Sequence, residues 1–196
     1  VSIYAFCGTL AAKVNLIGVF AERMLKVNYH GFSMASQRNF LLEPFCLKEY
    51  KRRWYLFARD HNGDYKEPHS FALDRMNAVT ISEQPFTVPI SFNAQSFFST
   101  RYGVLQYEGE KPAHIKLMVC ARQANYFRTL PLHSSQKEIE KNEKYAIFAY
   151  YLTPNYDFIH DVLYYVDDVK VLDPYILRGT ISEIVTNINH YYKQYD

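Results

Sequence analysis

From Met24 onward, apolar and polar side chains alternate with a period of two, which puts every second side chain on one face of a strand. Leu25, Val27 and Tyr29 alternate with Met24, Lys26, Asn28 and His30, and His30-Gly31 begins a turn. Residues 39–42 and 45–48 repeat the signal on either side of Glu43-Pro44, where the proline predicts an edge strand or a bulge. Residues 53–59 come next, with Trp54, Leu56 and Ala58 on one face and Arg53, Tyr55, Phe57 and Arg59 on the other. The first face asks for a core; the second mixes cations with rings, the combination that holds phosphates and stacks bases. Residues 60–64, Asp-His-Asn-Gly-Asp, are hairpin-turn sequence, and residues 70–73 and 79–81 supply further short strands. About five short strands so closely spaced predict a small closed or partly open barrel, which removes most exposed sheet edges.

The pattern before and after this stretch differs. Residues 3–23 space Ile3, Phe6, Leu10, Leu16, Ile17 and Phe20 at helical intervals, predicting one or two helical segments. Pro85 and Pro89 mark a linker, Asn93 an N-cap for a helix through Arg101 stopped by Gly103, and 104–112 an irregular, exposed loop. The last part predicts a strand at 115–120, a helix at 122–130, a weak polar strand at 136–140 and a strong strand at 145–152. A helix starting at Asn155 and a strand at 169–172 complete the order strand, helix, strand, strand, helix, strand, the split βαβ, ferredoxin-like arrangement. Ser135 and Glu138 would also form a capping box for a helix over 134–143, but a strand there leaves a short hairpin to Tyr145. Asp173-Pro174 sets an N-cap and an N1 proline before a final amphipathic helix to about Tyr192. The fold class is α+β. Its expected parts are a linker helix over 1–23, a barrel over 24–85, a linker with a short helix over 86–112, and an α+β domain over 113–196.

Composition narrows the chemistry. The net charge of +2 is small, but residues 23–85 carry ten Lys and Arg against seven acids, whereas 86–196 carry eleven against twelve. The basic surplus therefore sits around the Trp54 strand. Three scattered cysteines fit neither a disulfide framework nor a zinc site and suggest a reducing cytoplasm. The seven histidines lack metal spacing, and no cofactor is expected. No apolar run approaches the ~18 residues of a membrane span, and no signal peptide is read. The chain does not begin with methionine and is expected to start inside a longer protein. There is no GxSxG elbow, Gly-rich phosphate loop, HExxH or CxxC, so the chain is not expected to be an enzyme. Asp167-Asp168 reads as the turn before a strand rather than a pair of catalytic acids, and His133 with Ser134 and Ser135 lacks a third catalytic member.

Three motifs carry a resemblance. Glu43-Pro44-Phe45-Cys46-Leu47-Lys48, Arg53-Trp54-Tyr55-Leu56 and Phe71-Ala72-Leu73-Asp74-Arg75-Met76 resemble the WYL domain family, named for the triplet found here at 54–56. Residues 130–136, Asp157-Phe158 and the segment from Val169 to Arg178 resemble the C-terminal extension that accompanies such domains in bacterial regulators. The resemblance covers roughly residues 24–192. It implies an Sm-like, SH3-type barrel that senses a ligand within a cytoplasmic, homodimeric bacterial transcription factor. Operator DNA would be bound by an N-terminal winged helix-turn-helix that is not in this chain. Its ligands would be single-stranded DNA or nucleotides, and residue by residue it assigns Tyr29, Arg53, Tyr55 and Arg75 to the site. Lys48 and Arg59 join from the alternation, and His69 stands in for the basic residue that relatives carry where this chain has Ala72. Glu43 replaces a histidine common in relatives, and an acid there would repel phosphate. Arg75 also suits a bracing role, and Trp54 is read as core. Two other functions fit the same residues: a structural or dimerisation module without a small ligand, and an accessory domain of a nucleic-acid-processing enzyme.

Overall fold

The computed structural model describes residues 22–63, 67–106 and 109–193, so the helical segments expected before Glu22 lie outside the described residues. The chain divides into two compact units between Ala94 and Gln95.

In the first unit, strands β1 (Arg23–Tyr29), β2 (Arg38–Tyr50), β3 (Arg53–Asp60), β4 (His69–Ala72) and β5 (Met76–Pro85) form one antiparallel sheet, ordered β4-β3-β2-β1-β5. The register aligns apolar positions on one face: Leu25 lies opposite Leu42, Val27 opposite Phe40 and Val79, and Leu56 opposite Leu47 and Phe71. Leu25, Leu42, Leu56 and Ala58 are fully buried there, with Trp54 packed against them. The two edge strands, β4 and β5, are joined by a single 3-10 turn, Leu73–Arg75. A flat sheet would hold these edges about 19 Å apart at ~4.8 Å per strand, more than so short a turn can span, so the sheet must curl. Among the described residues no ladder pairs β4 with β5, so backbone pairing does not close the curl.

The two strands expected around Glu43-Pro44 are one long strand, β2, and it is central rather than an edge. Pro44 has no N–H to give the ladder, and the register with β3 slips between Pro44 and Cys46. The slip turns Phe45 to the outer face, where it packs on Phe86 and Phe92 at ring distances of 5.4 and 4.9 Å. Residues 86–92, expected as linker, therefore cover part of the outer face of the sheet. The following helix, α1 (Ala94–Phe98), is shorter than the spacing predicts. The Ser99 hydroxyl donates back to the Ser96 carbonyl at 2.7 Å, a local bond that competes with helix continuation.

The second unit runs β6 (Ala113–Cys120), α2 (Ala121–Thr129), β7 (Lys137–Lys141), β8 (Tyr145–Leu152), α3 (Tyr156–Tyr164), β9 (Val169–Asp173) and α4 (Tyr175–Lys193). Its antiparallel sheet is ordered β7-β8-β6-β9. Ile115, Leu117 and Val119 on β6 and Ala146, Phe148, Tyr150 and Leu152 on β8 face one core with Phe127, Phe158, Val162 and Leu177 from the helices. Asn155 caps α3 by accepting from the Phe158 N–H at 3.1 Å, and its amide donates to the carbonyls of Tyr102 and Leu105, each at 2.8 Å. Asp157 accepts from the N–H groups of Val104 and Leu105. The start of the expected exposed loop is thus pinned down, with Val104 buried, as is Tyr102 before it. α4 starts one residue later than expected, with the Pro174 carbonyl accepting from the Arg178 N–H at 3.1 Å.

Candidate nucleic-acid interface

The β2–β3 hairpin is closed by Lys51 and Arg52, both at positive φ, 47° and 64°. A two-residue hairpin turn needs such angles and usually takes Asn-Gly to reach them without a Cβ penalty. Here two exposed cations occupy it, beside Arg53. The ladder sets Tyr50 opposite Arg53, and Lys48 opposite Tyr55, which in turn faces Ala72 on β4. Arg53 Nη1 donates to Asp74 Oδ2 at 2.8 Å, and both side chains are about half exposed. One residue on, the Arg75 guanidinium lies 3.8 Å over the ring of Phe32, which is 80% exposed. Arg75 Nε is buried without a hydrogen-bond partner, a donor whose need is unmet.

The sequence-predicted residues do not form one patch. Lys48, Arg53, Tyr55 and Arg75 gather around the hairpin and the Leu73–Arg75 turn. Tyr29 belongs to the core wall: it is buried, meets Phe71 edge-on at 5.3 Å, and its hydroxyl accepts from the Ala72 N–H at 3.3 Å. His69 lies opposite Ala58, on the core side of β4 with Phe71, and not on the Arg53 face. Phe57, which shares that outer face, is fully buried.

Arg59 stands at the far end of β3 and is engaged. Its Nε donates to Glu43 at 2.6 Å, and His61 Nδ1 reaches the other carboxylate oxygen at 2.8 Å. Burial opposes ionisation of Glu43, but the hydrogen bonds from His61 and Arg59 outweigh it and hold its carboxyl below the usual range. The acid expected to repel phosphate is therefore neutralised where it sits, and it occupies the Arg59 cation. Phe32, Lys51, Arg52, Asp74 and His61 were missing from the predicted set. A two-residue turn without Asn-Gly was the available signal for Lys51 and Arg52, whereas nothing local marks Phe32.

An open groove of about 460 Å³ lies along β1, β2 and β5, lined by Lys26, Asn28, Asn39, Asn62 and Thr80 among others. Two of its amides are tied together, Asn28 donating to Asn39 at 2.7 Å, and Asn28 also accepts from Asn77 at 3.3 Å.

The groupings that hinted at catalysis have structural partners. His133 Nδ1 meets Ser135 Oγ at 2.8 Å, but that oxygen also accepts from the Tyr151 N–H, and Gln136 ties the same turn to Phe127 and Tyr150. Asp168 accepts from Cys120 and from Arg122, bonds that hold its carboxyl low. Burial pushes the Cys46 thiol up to about 11, so it stays protonated at neutral pH. Among the described residues no group of three or more His, Cys, Asp or Glu is placed to hold a metal, and no helix is long and apolar enough to cross a membrane.

No curated protein matches the chain. Among solved structures it is similar to the proteasome accessory factor B/C (PafBC) of Arthrobacter aurescens, at 17% identity and a TM-score of 0.41, over 87% of this chain and 26% of that one. It is also similar to a CRISPR Cas-related protein, at 15% identity and a TM-score of 0.52, over 94% of this chain and 51% of that one. The chain thus spans less than two thirds of either, and the second likeness speaks to fold alone. Residues 18–81, which carry the Trp54-Tyr55-Leu56 triplet and all but the end of the five-stranded sheet, match the WYL domain.

Proposed function

We propose that this chain is the ligand-sensing, regulatory part of a bacterial transcriptional regulator. Its ligand is nucleic-acid-like, single-stranded DNA or a nucleotide, held at the β2–β3 hairpin and the Leu73–Arg75 turn. The observation that supports this best is Arg75, whose Nε is buried and unbonded beneath an exposed aromatic ring. Arg53 next to it is tied by a surface ion pair, an interaction worth only about 0–1 kcal/mol, so a phosphate can take the place of Asp74. Lys51 and Arg52 extend the cationic edge, and Phe32 and Tyr55 supply rings.

In this reading the first unit is an Sm-like barrel, the second a ferredoxin-like domain, and the protein is cytoplasmic. Ligand shifts the population between two arrangements of a homodimer and so alters operator binding by a helix-turn-helix outside this chain. The occupant assigned to α4 is the same stripe of a second copy. Leu177, Ile181, Ile184, Ile188 and Tyr191 recur at alternating four- and three-residue steps, the seam spacing of a helix pair. Leu177 and Ile181 serve the core of their own unit, while Ile188 and Tyr191 are exposed. Ile188→Glu is expected to turn the dimer into a monomer by sedimentation velocity; a parent chain that is already monomeric ends this part of the reading.

The ligand site is tested with fluorescein-labelled oligothymidylate. Arg53→Ala and Arg75→Ala are each expected to weaken binding by about 10- to 150-fold, as loss of charge-assisted bonds of roughly 1.5–3 kcal/mol implies. Binding by both variants as tight as by the parent would refute the site.

A further inference from the structure

The second unit presents a sheet face that no helix of that unit uses. All buried side chains of β6, β8 and β9 point to the face carrying the helices. The opposite face shows His114, Lys116, Met118 and Cys120 on β6 and Tyr145, Ile147, Ala149 and Tyr151 on β8, the two central strands.

The rows across this face are ordered by chemistry. At one end His114 and Tyr151 stand directly opposite each other, ring centroids 4.8 Å apart and planes tilted by 37°, both exposed. The next row reads Lys137, Ala149, Lys116 and Asp173 across β7, β8, β6 and β9, and the one after it Glu140, Ile147, Met118 and Lys170. Ala149, Ile147 and Met118 thus floor the middle beside Lys116, and lysines stand on both edge strands. The two acids are engaged: Asp173 pairs with Lys116 at 3.2 Å, and Glu140 accepts from the Tyr145 hydroxyl at 2.8 Å.

The geometry points to a single-stranded nucleic-acid platform on this face, separate from the site on the first unit. Exposed rings on the central strands of a four-stranded sheet are what unpaired bases stack on, and flanking lysines meet the backbone phosphates. A duplex does not suit it, because paired bases offer no free face to a flat sheet. The Lys116–Asp173 pair is no obstacle, since both side chains are about half exposed and a phosphate can exchange for the carboxylate.

The test uses the full chain with short oligothymidylate and oligouridylate, followed by anisotropy and by photocrosslinking of bromouracil-substituted versions. His114→Ala and Tyr151→Ala are each expected to weaken binding about tenfold, as loss of one base–ring stack implies, while Tyr151→Phe binds as the parent does. Tyr126→Ala, an exposed ring on α2, is the control and leaves binding unchanged. Crosslinks are expected on peptides from β6 or β8. Lys170→Glu keeps the question open to an answer if a ring truncation unfolds the unit, and it too must weaken binding. Crosslinks confined to residues 22–94, or full binding by His114→Ala, Tyr151→Ala and Lys170→Glu, overturn the platform. If Arg53→Ala alone then abolishes binding, the first-unit site survives without it; the reverse pattern leaves only the platform. Tighter binding of one oligonucleotide identifies RNA or DNA as the source of the strand.

Discussion

Glu43 illustrates how one side chain changes the meaning of its neighbours. It is almost wholly buried between a guanidinium and an imidazole, so its charge stabilises the fold rather than repelling a ligand. Its carboxyl is depressed in the folded state, so its contribution is complete above the ordinary carboxylate pKa of about 4.3 and is lost as pH falls through the lower folded value. Glu43→Gln is expected to cost about 1–3 kcal/mol at neutral pH, and urea titrations should show the difference from the parent shrinking below about pH 4. A pH-independent difference would mean that packing, not charge, is what the substitution removes. Lys51 and Arg52 make the opposite trade. Each non-glycine residue in the left-handed region costs on the order of 1 kcal/mol, so Lys51→Asn with Arg52→Gly should raise the urea midpoint while weakening oligonucleotide binding. A gain in stability with unchanged binding would remove the turn from the proposed site.

Among the elements, local signals suffice where the determinants are neighbours in sequence. Strand alternation along β3 and β8 and the cap at Asn155 follow from neighbours in sequence, and β8 spans the residues its pattern predicts. Pro44 signalled the slip in register, but only the partner strands reveal that β2 is central, because edge or centre is a property of long-range pairing. The same limit explains the site: Arg53 and Asp74, twenty-one positions apart, meet through β4, and Phe32 reaches Arg75 from a turn with no periodic signal. Val104 and Leu105, at the start of the segment expected as loop, give no local signal because their polar partners, Asn155 and Asp157, lie some fifty residues on. Gly103 is required there. It sits at φ +60°, and a Cβ would fall on Asp157 Oδ2 and within 2.7 Å of Asp157 Cβ. Gly103→Ala should therefore cost more than about 2 kcal/mol, from backbone strain together with the displaced carboxylate. Equal melting temperatures for Gly103→Ala and the parent would show that the segment rearranges freely.

For the whole molecule, the two units carry separate cores and separate cationic surfaces, and the single tryptophan reports on one of them. Trp54 is packed against the core of the first unit, on the strand that begins with Arg53, and there is none in the second. Ligand at the hairpin should perturb Trp54 emission through β3, while a strand held only on the β6–β8 face should be seen by anisotropy and leave Trp54 unchanged. Salt separates the contributions further. A single strand contacting Arg53, Arg75, Lys51 and Arg52 releases counterions with a slope of log affinity on log salt near −2.8, at about −0.7 per phosphate contact. Removing Arg53 should then bring the Trp54-detected slope to about −2.1 and leave the variant's spectrum at saturation like the parent's. Neutral substitution on β9, Lys170→Gln, should leave the Trp54-detected slope where it was and flatten only the anisotropy-detected one. If both probes give one slope that shifts with either substitution, the strand is bound at a single composite surface, and the assignment of two independent sites fails.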